Sequence, residues 1–281
     1  MGFQSSQHGL LLRKNDLSKS ERASILGYLG SLHPIWEMRF SKNNPPPPGK
    51  PNRPLLRPVY WLRNWQFACL DYYHPPKGTE NRCVRAEPYP PALAAVVQRA
   101  EQAVHQEFGS EDVPRGWALN TCLINFYGDR IEDGRRVDCA RVGEHKDHEL
   151  GPVVSLSLGE RALFQFVKSD GKEARSQVII QQWLEDGDLQ IFGGRRFKKQ
   201  LFHRVQRVED KGGFRLKLPV ENFETRRVNF TFRYVPEESI VPWSRLPAPA
   251  QEDTRDYMAA LAEHSEFFRE ALNAGRESLK S

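Results

Sequence analysis

No stretch of this 281-residue chain approaches the roughly 20 consecutive apolar residues of a membrane helix, so no membrane partner is expected. The first residues, Met1 to Ser6, lack the basic stretch and apolar run of a secretory signal. Cysteine is scarce, and Cys69, Cys83, Cys122 and Cys139 form no CxxC pair. That argues against a disulfide framework or a cysteine zinc cluster. It points to a reducing compartment, cytoplasmic or, in a eukaryote, nuclear. Internal repeats are absent. What is present suits a globular protein: 39% hydrophobic and 27% charged residues, with a net charge of +5. This mild basicity is compatible with a polyanionic partner without identifying one. Nothing in the sequence calls for an obligate protein partner.

Three regions follow from composition. Residues 1–56 read as an N-terminal helix, Ser18 to Leu32, followed by a proline-rich connector running from Pro45 through Pro54 to Pro58. Residues 57–235 carry the domain proper. Tyr60 to Tyr73 is aromatic and reads as strands and a loop. Pro90 to Phe108 is the clearest helix, with Leu93, Val96, Val97, Ala100 and Val104 on one face. Six short runs follow: 122–127, 153–158, 163–167, 177–180, 188–192 and 228–234. They read as strands separated by glycine or charged turns. Strands without intervening helices, flanked by a few helices, predict a mostly β (α+β) antiparallel sandwich or jelly roll. Residues 236–281 read as a proline-containing linker and one C-terminal helix, Tyr257 to Ala274.

Two features carry chemistry. In a strand, His145 and Asp147 would point to one side with Lys146 outward. His203 follows after several strands and can return beside them in a jelly roll. Two imidazoles and a carboxylate on one face form a non-haem Fe(II) ligand set with open positions. The same residues are compatible with a solvated surface or a zinc hydrolase site, and His148 competes as a ligand. The second feature is Arg227, Asn229, Thr231 and Arg233, spaced at two, opposite an apolar set of Val228, Phe230, Phe232 and Tyr234. A buried face with two unpaired arginines is costly, so this face is either solvated or receives an anion. Asn125 and Tyr127 follow the same period and can donate hydrogen bonds to it.

These pieces occur in a longer series: Leu123-Ile-Asn-Phe-Tyr127, His145-x-Asp147, Pro152 to Gly159, Phe164-Gln-Phe166, Gly187-Asp188, Gly193-Gly194, His203 and Arg227-x-Asn-x-Thr-x-Arg233. In this order the chain resembles the AlkB family of Fe(II)/2-oxoglutarate-dependent dioxygenases over roughly residues 117–235. The resemblance implies a double-stranded β-helix. It implies Fe(II), 2-oxoglutarate and O2 as cofactor and cosubstrates, with His145, Asp147 and His203 as catalytic metal ligands. It further implies that Arg227, helped by Tyr127 and Asn229, pairs with the distal carboxylate of 2-oxoglutarate. Arg233 and Asn125 would lie by the carboxylate that chelates the metal. The implied reaction removes an N-methyl group from a nucleobase in DNA or RNA as formaldehyde, with succinate and CO2 as co-products.

Substrate contacts are less legible. Trp65, Tyr72 and Tyr73 fall where the family places its nucleotide-recognition lid, and are equally compatible with a core. Glu149 occupies the position of a family acidic residue near the base, or is a solvated turn carboxylate. Phe192 stands where the family's bacterial founding member has a tryptophan. A basic cluster, Arg195, Arg196, Lys198, Lys199, Arg204 and Arg207, surrounds His203, and a charged insertion, 130–142, precedes His145. Either is a phosphate contact or plain surface. Two other functions stay open: the same oxidation of a protein or small molecule, and a non-catalytic nucleic-acid-binding module.

Overall fold

The computed structural model describes residues 4–70, 83–169 and 175–278, without side chains for 4–7 and 276–278. The chain begins with a hairpin, β1 (Gln4–Gln7) and β2 (Leu10–Arg13), and helix α1 (Lys19–Ser31). Ser18 starts α1 through a capping box: its side chain accepts from the Glu21 N–H, and Glu21 reaches back to the Ser18 N–H. Strands β3 (Val59–Leu62), β4 (Asn64–Gln66) and β5 (Cys83–Arg85) precede α2 (Pro91–Glu107). The central strands are β6 (Thr121–Glu132), β7 (Arg135–Asp138), β8 (Val142–His145), β9 (Leu150–Gly159) and β10 (Ala162–Lys168). They continue through β11 (Gln177–Leu184), β12 (Leu189–Phe192), β13 (Phe202–Gln206) and β14 (Phe223–Tyr234). A short β15 (Ile240–Val241) leads to α3 (Ala248–Ala262) and α4 (Glu266–Ser278).

The large sheet has the order β1-β2-β12-β9-β14-β6-β3, with β7 folded back on β6. The smaller sheet has the order β11-β10-β13-β8. All pairings in both are antiparallel, and together they form the jelly-roll core. Alternation sorts the side chains. On β14, Val228, Phe230 and Phe232 join the core under the helices, with Leu156 and Leu158 of β9 and Leu189 and Ile191 of β12. On the opposite face, Val153 and Phe192 pack with Phe164, Phe166 and Val205 of the smaller sheet. Each buried phenylalanine contributes about 2–3 kcal/mol of transfer free energy, so the core under the helices pins the register of β14.

The ends of the chain are part of this core. Leu11, Ile25 and Leu29 join it from the N-terminal side, and Met258, Leu261, Phe268 and Leu272 from the C-terminal side. Tyr257 accepts a hydrogen bond from the Met38 N–H at 2.7 Å. The expected single C-terminal helix is two helices. The break falls at Ser265, whose hydroxyl accepts from the Phe268 N–H and bonds the Glu87 carboxylate. The charged insertion is the β6–β7 hairpin. All four cysteines are buried and unbridged. No helix among the described residues is long and apolar enough to cross a membrane.

Candidate active site

Strand pairing explains how His145 and His203 meet. In the β8–β13 ladder the two residues are direct cross-strand partners, and their rings lie 4.2 Å apart between centroids. Strand β8 ends at His145, so Asp147 follows in irregular backbone rather than in the strand expected. It is positioned by β14 instead: Arg233 donates to Asp147 Oδ1 from Nε at 3.0 Å and from Nη2 at 2.8 Å. Asp147 Oδ2 stays buried without a hydrogen-bond donor among the described residues, 3.4 Å from His203 Nε2. His145 Nδ1 lies 2.9 Å from the Gly143 carbonyl, which leaves Nε2 as its ligand atom.

One donor atom from each of His145, Asp147 and His203 lies within 4.8 Å of the others. His148 is exposed and outside that group. Burial keeps both imidazoles below their ordinary pKa, with His145 adding to the effect on His203. Burial alone would raise the Asp147 carboxyl, but Arg233, then His203, hold it well below the usual carboxylate range. Two neutral imidazoles and an ionised carboxylate with an unfilled oxygen suit a divalent metal. The residues therefore fit an Fe(II) ion, which His145, Asp147 and His203 would hold.

The period-two face of β14 is buried beside this triad. Asn229 donates to Ser155 Oγ at 2.8 Å, and Thr231 Oγ1 donates to Asn229 Oδ1 at 2.9 Å. Arg227 donates to Ser157 Oγ at 3.1 Å and lies 4.8 Å over the Tyr127 ring. Its Nε and Nη1 have no acceptor among the described residues. Burial lowers its pKa, only partly offset by Tyr127. A buried guanidinium without a carboxylate is a site for an anionic ligand. Asn125, Tyr127, Asn229, Thr231 and Arg233 share with the triad a cavity of about 470 Å³. Arg233, expected at the cosubstrate, lines that cavity and also holds the Asp147 carboxylate.

The expected substrate residues fare differently. Trp65 is a correction: it is fully buried, packed against the Phe67 ring and bonded through its indole N–H to Glu37 at 2.6 Å, so it belongs to the core. Phe192 does line the cavity, and its ring packs 5.1 Å from that of His203. Glu149 is not a solvated turn residue. It is buried outside the cavity lining, 3.5 Å from Arg233 and within hydrogen-bond reach of Gln66. Tyr72 and Tyr73 lie outside the described residues. The basic cluster does not act as one patch. Lys198 is buried and Arg204 is paired with Glu144 at 2.8 Å, while Arg195, Arg196, Lys199 and Arg207 are exposed.

The sequence reading missed Arg57, which enters the cavity from the proline-rich connector. It also missed Arg226, which is fully buried against Glu160, Asp129 and Asp138. Both depend on pairings that no local pattern announces.

Comparisons with known proteins bear on the family and the fold. The alpha-ketoglutarate-dependent dioxygenase AlkB of Salmonella typhimurium (strain LT2) is 32% identical over 123 residues, 42% of this chain and 47% of the relative. The match thus spans about half the length of that relative. The fold is similar to the solved structure of OsALKBH1, with a TM-score of 0.50 and 21% identity, over 83% of this chain and 99% of that one. The profile of the 2OG-Fe(II) oxygenase superfamily matches residues 9–233, the span that contains the triad and the arginine strand, and the chain belongs to that superfamily.

Proposed function

We propose that this dioxygenase is an oxidative demethylase of N-alkylated nucleobases in DNA or RNA, releasing formaldehyde, succinate and CO2. Fe(II), with 2-oxoglutarate and O2, supplies the oxidising power for C–H hydroxylation. The chain's own residues bind and orient. His145, Asp147 and His203 hold the metal, and Arg233 fixes the Asp147 carboxylate so that one oxygen faces it. Arg227, which lies against the Tyr127 ring, receives the distal carboxylate of the cosubstrate with Tyr127 and Asn229, and these two line the cavity with Asn125. Phe164, Phe192 and Val205 give the cavity an apolar wall that limits water.

The observation that carries the nucleic-acid reading is the charge of the rest of the cavity lining. Arg39, Arg53, Arg141 and Lys146 all contribute to it. The acidic lining residue Glu144 is neutralised by Arg204. A base that reaches a recessed metal must be extruded or single-stranded, and its flanking phosphates then meet cations at the mouth.

The test is turnover on methylated single- and double-stranded oligonucleotides, with formaldehyde and succinate both measured. Stoichiometric formaldehyde from a 1-methyladenine or 3-methylcytosine substrate is expected. Succinate without formaldehyde across the panel would count against the nucleobase and favour another substrate. The metal assignment predicts that His203→Ala loses stoichiometric iron. Retained iron would move the ligand role to His148.

A further inference from the structure

We propose that Arg57 is a second guanidinium for the distal carboxylate of 2-oxoglutarate, delivered by the proline-rich connector. The inference rests on the reading above that Arg227 receives that carboxylate. It begins from sheet register. Val59 of β3 is the partner of Asn125 of β6. Continued two residues further, that antiparallel pairing sets Arg57 opposite Tyr127. On the other side of β6, Arg227 of β14 is the partner of the same Tyr127. Arg57, Tyr127 and Arg227 therefore form one row across one face of the large sheet.

The side chains follow this register. The Arg57 guanidinium lies 4.6 Å from the Tyr127 ring centroid, and that of Arg227 lies 4.8 Å from it. Arg57 Nε donates to Asn125 Oδ1 at 2.8 Å, and Arg57 lines the cavity that holds the triad. No carboxylate pairs with either arginine among the described residues. Two cations held against one ring repel unless an anion joins them. A dicarboxylate presents two negative charges, and Arg233 is already engaged with Asp147. Arg57 adds a second cation beside Arg227.

The connector is held firmly enough to deliver that side chain. Leu55 N–H bonds the Glu37 carbonyl at 2.8 Å, Arg39 N–H bonds the Arg53 carbonyl at 3.1 Å, and Phe126 N–H bonds the Pro58 carbonyl at 3.2 Å. Arg130 Nη2 reaches the Leu55 carbonyl at 3.3 Å. The N-terminal region is thus tied to the chemistry through a cosubstrate contact as well as through the core.

The experiment is anaerobic calorimetry of 2-oxoglutarate binding to the Mn(II)-loaded full chain, for the wild type, Arg57→Ala, Arg57→Lys and Arg227→Ala. Loss of one charged hydrogen-bonding contact predicts about 10- to 100-fold weaker binding in Arg57→Ala. Arg57→Lys should recover part of it, because charge returns without the planar fork. Binding of 2-oxobutyrate, which lacks the distal carboxylate, should be the same in the wild type and Arg57→Ala. If both ligands weaken equally, Arg57 serves only the fold of the pocket and the proposal falls. If Arg227→Ala loses 2-oxoglutarate while Arg57→Ala binds it normally, Arg57 has no cosubstrate role and the Arg227 reading stands. If Arg227→Ala binds normally, that reading fails first. Weakened binding of an oligonucleotide with unchanged 2-oxoglutarate affinity in Arg57→Ala would assign the residue to the substrate instead.

Discussion

Arg226 and Arg227 are neighbours in one strand, buried to 0% and 3% exposure, and their surroundings are opposite. Arg226 is enclosed by Glu160, Asp129 and Asp138. Burial alone would lower its pKa, but the hydrogen bonds it donates to Glu160 and Asp129 hold it above the ordinary arginine value. Arg227 has a tyrosine ring and a serine hydroxyl, and burial draws its pKa down. The chain itself neutralises the first charge and gives the second no carboxylate among the described residues. A buried charge with its partners in place belongs to the fold. One without them marks a binding site.

The carboxylates repeat the contrast. Glu37 is buried and accepts from the Trp61 and Trp65 indoles and the Ala68 N–H. These donors are neutral, and burial outweighs them, so its pKa is pushed up to about 7. Asp147 has the Arg233 guanidinium and stays ionised, with one oxygen turned to the metal position. A cationic partner is what keeps a buried carboxylate ready to bind a cation.

The sharpest way to break the arginine comparison is to truncate each in turn. Arg226→Ala strands three acids and should destabilise the protein by about 3–5 kcal/mol in chemical denaturation. Its folded fraction should still bind 2-oxoglutarate. Arg227→Ala should lose about 100-fold in 2-oxoglutarate affinity, roughly 3 kcal/mol, with no loss of apo stability, since it removes an uncompensated cation. Equal destabilisation by the two variants would erase the distinction.

Glu37 tests the carboxylate side through pH. Its folded pKa is raised, so the folded state gains relative stability as pH falls from about 7 to below the ordinary value of 4.5. That contribution is lost as pH rises through 7, over a total of about 3 kcal/mol at most. Glu37→Gln should flatten this slope between about pH 4.5 and pH 7 in denaturant titrations, the window of the shift. An unchanged slope would mean that the indole and amide donors hold the group ionised. The smallest effect is expected for Tyr127→Leu, which removes the ring under both guanidinia. It should weaken 2-oxoglutarate by about 3- to 30-fold, the range of one or two cation–π contacts. Wild-type affinity there would show that the row orders nothing.

Legibility followed the range of the interactions. The capping box at Ser18, the apolar face of α2 and the two-residue period of β14 are local, and the sequence displays them directly. Arg226 was hidden because strict alternation groups it with Val228. The ladder shifts register between Thr225 and Arg227, and the acids come from three other segments. Trp65 was hidden for a similar reason. An aromatic run reads alike in a lid and in a core, and the Glu37 carboxylate that anchors its indole comes from a segment 28 residues away. Separate end regions were expected from composition, but both bury apolar faces against the central sheet.

The sequence by itself determined the strand that offers arginines and amides on one face, the mostly β class, and the triad as a candidate ligand set, because residue type and short spacing suffice for these. Only the tertiary structure decided which charges are already paired, since partners come from strands far apart in the chain. It set His203 opposite His145, gave Arg233 to Asp147, enclosed Arg226, and left Arg227 and Arg57 facing each other across Tyr127.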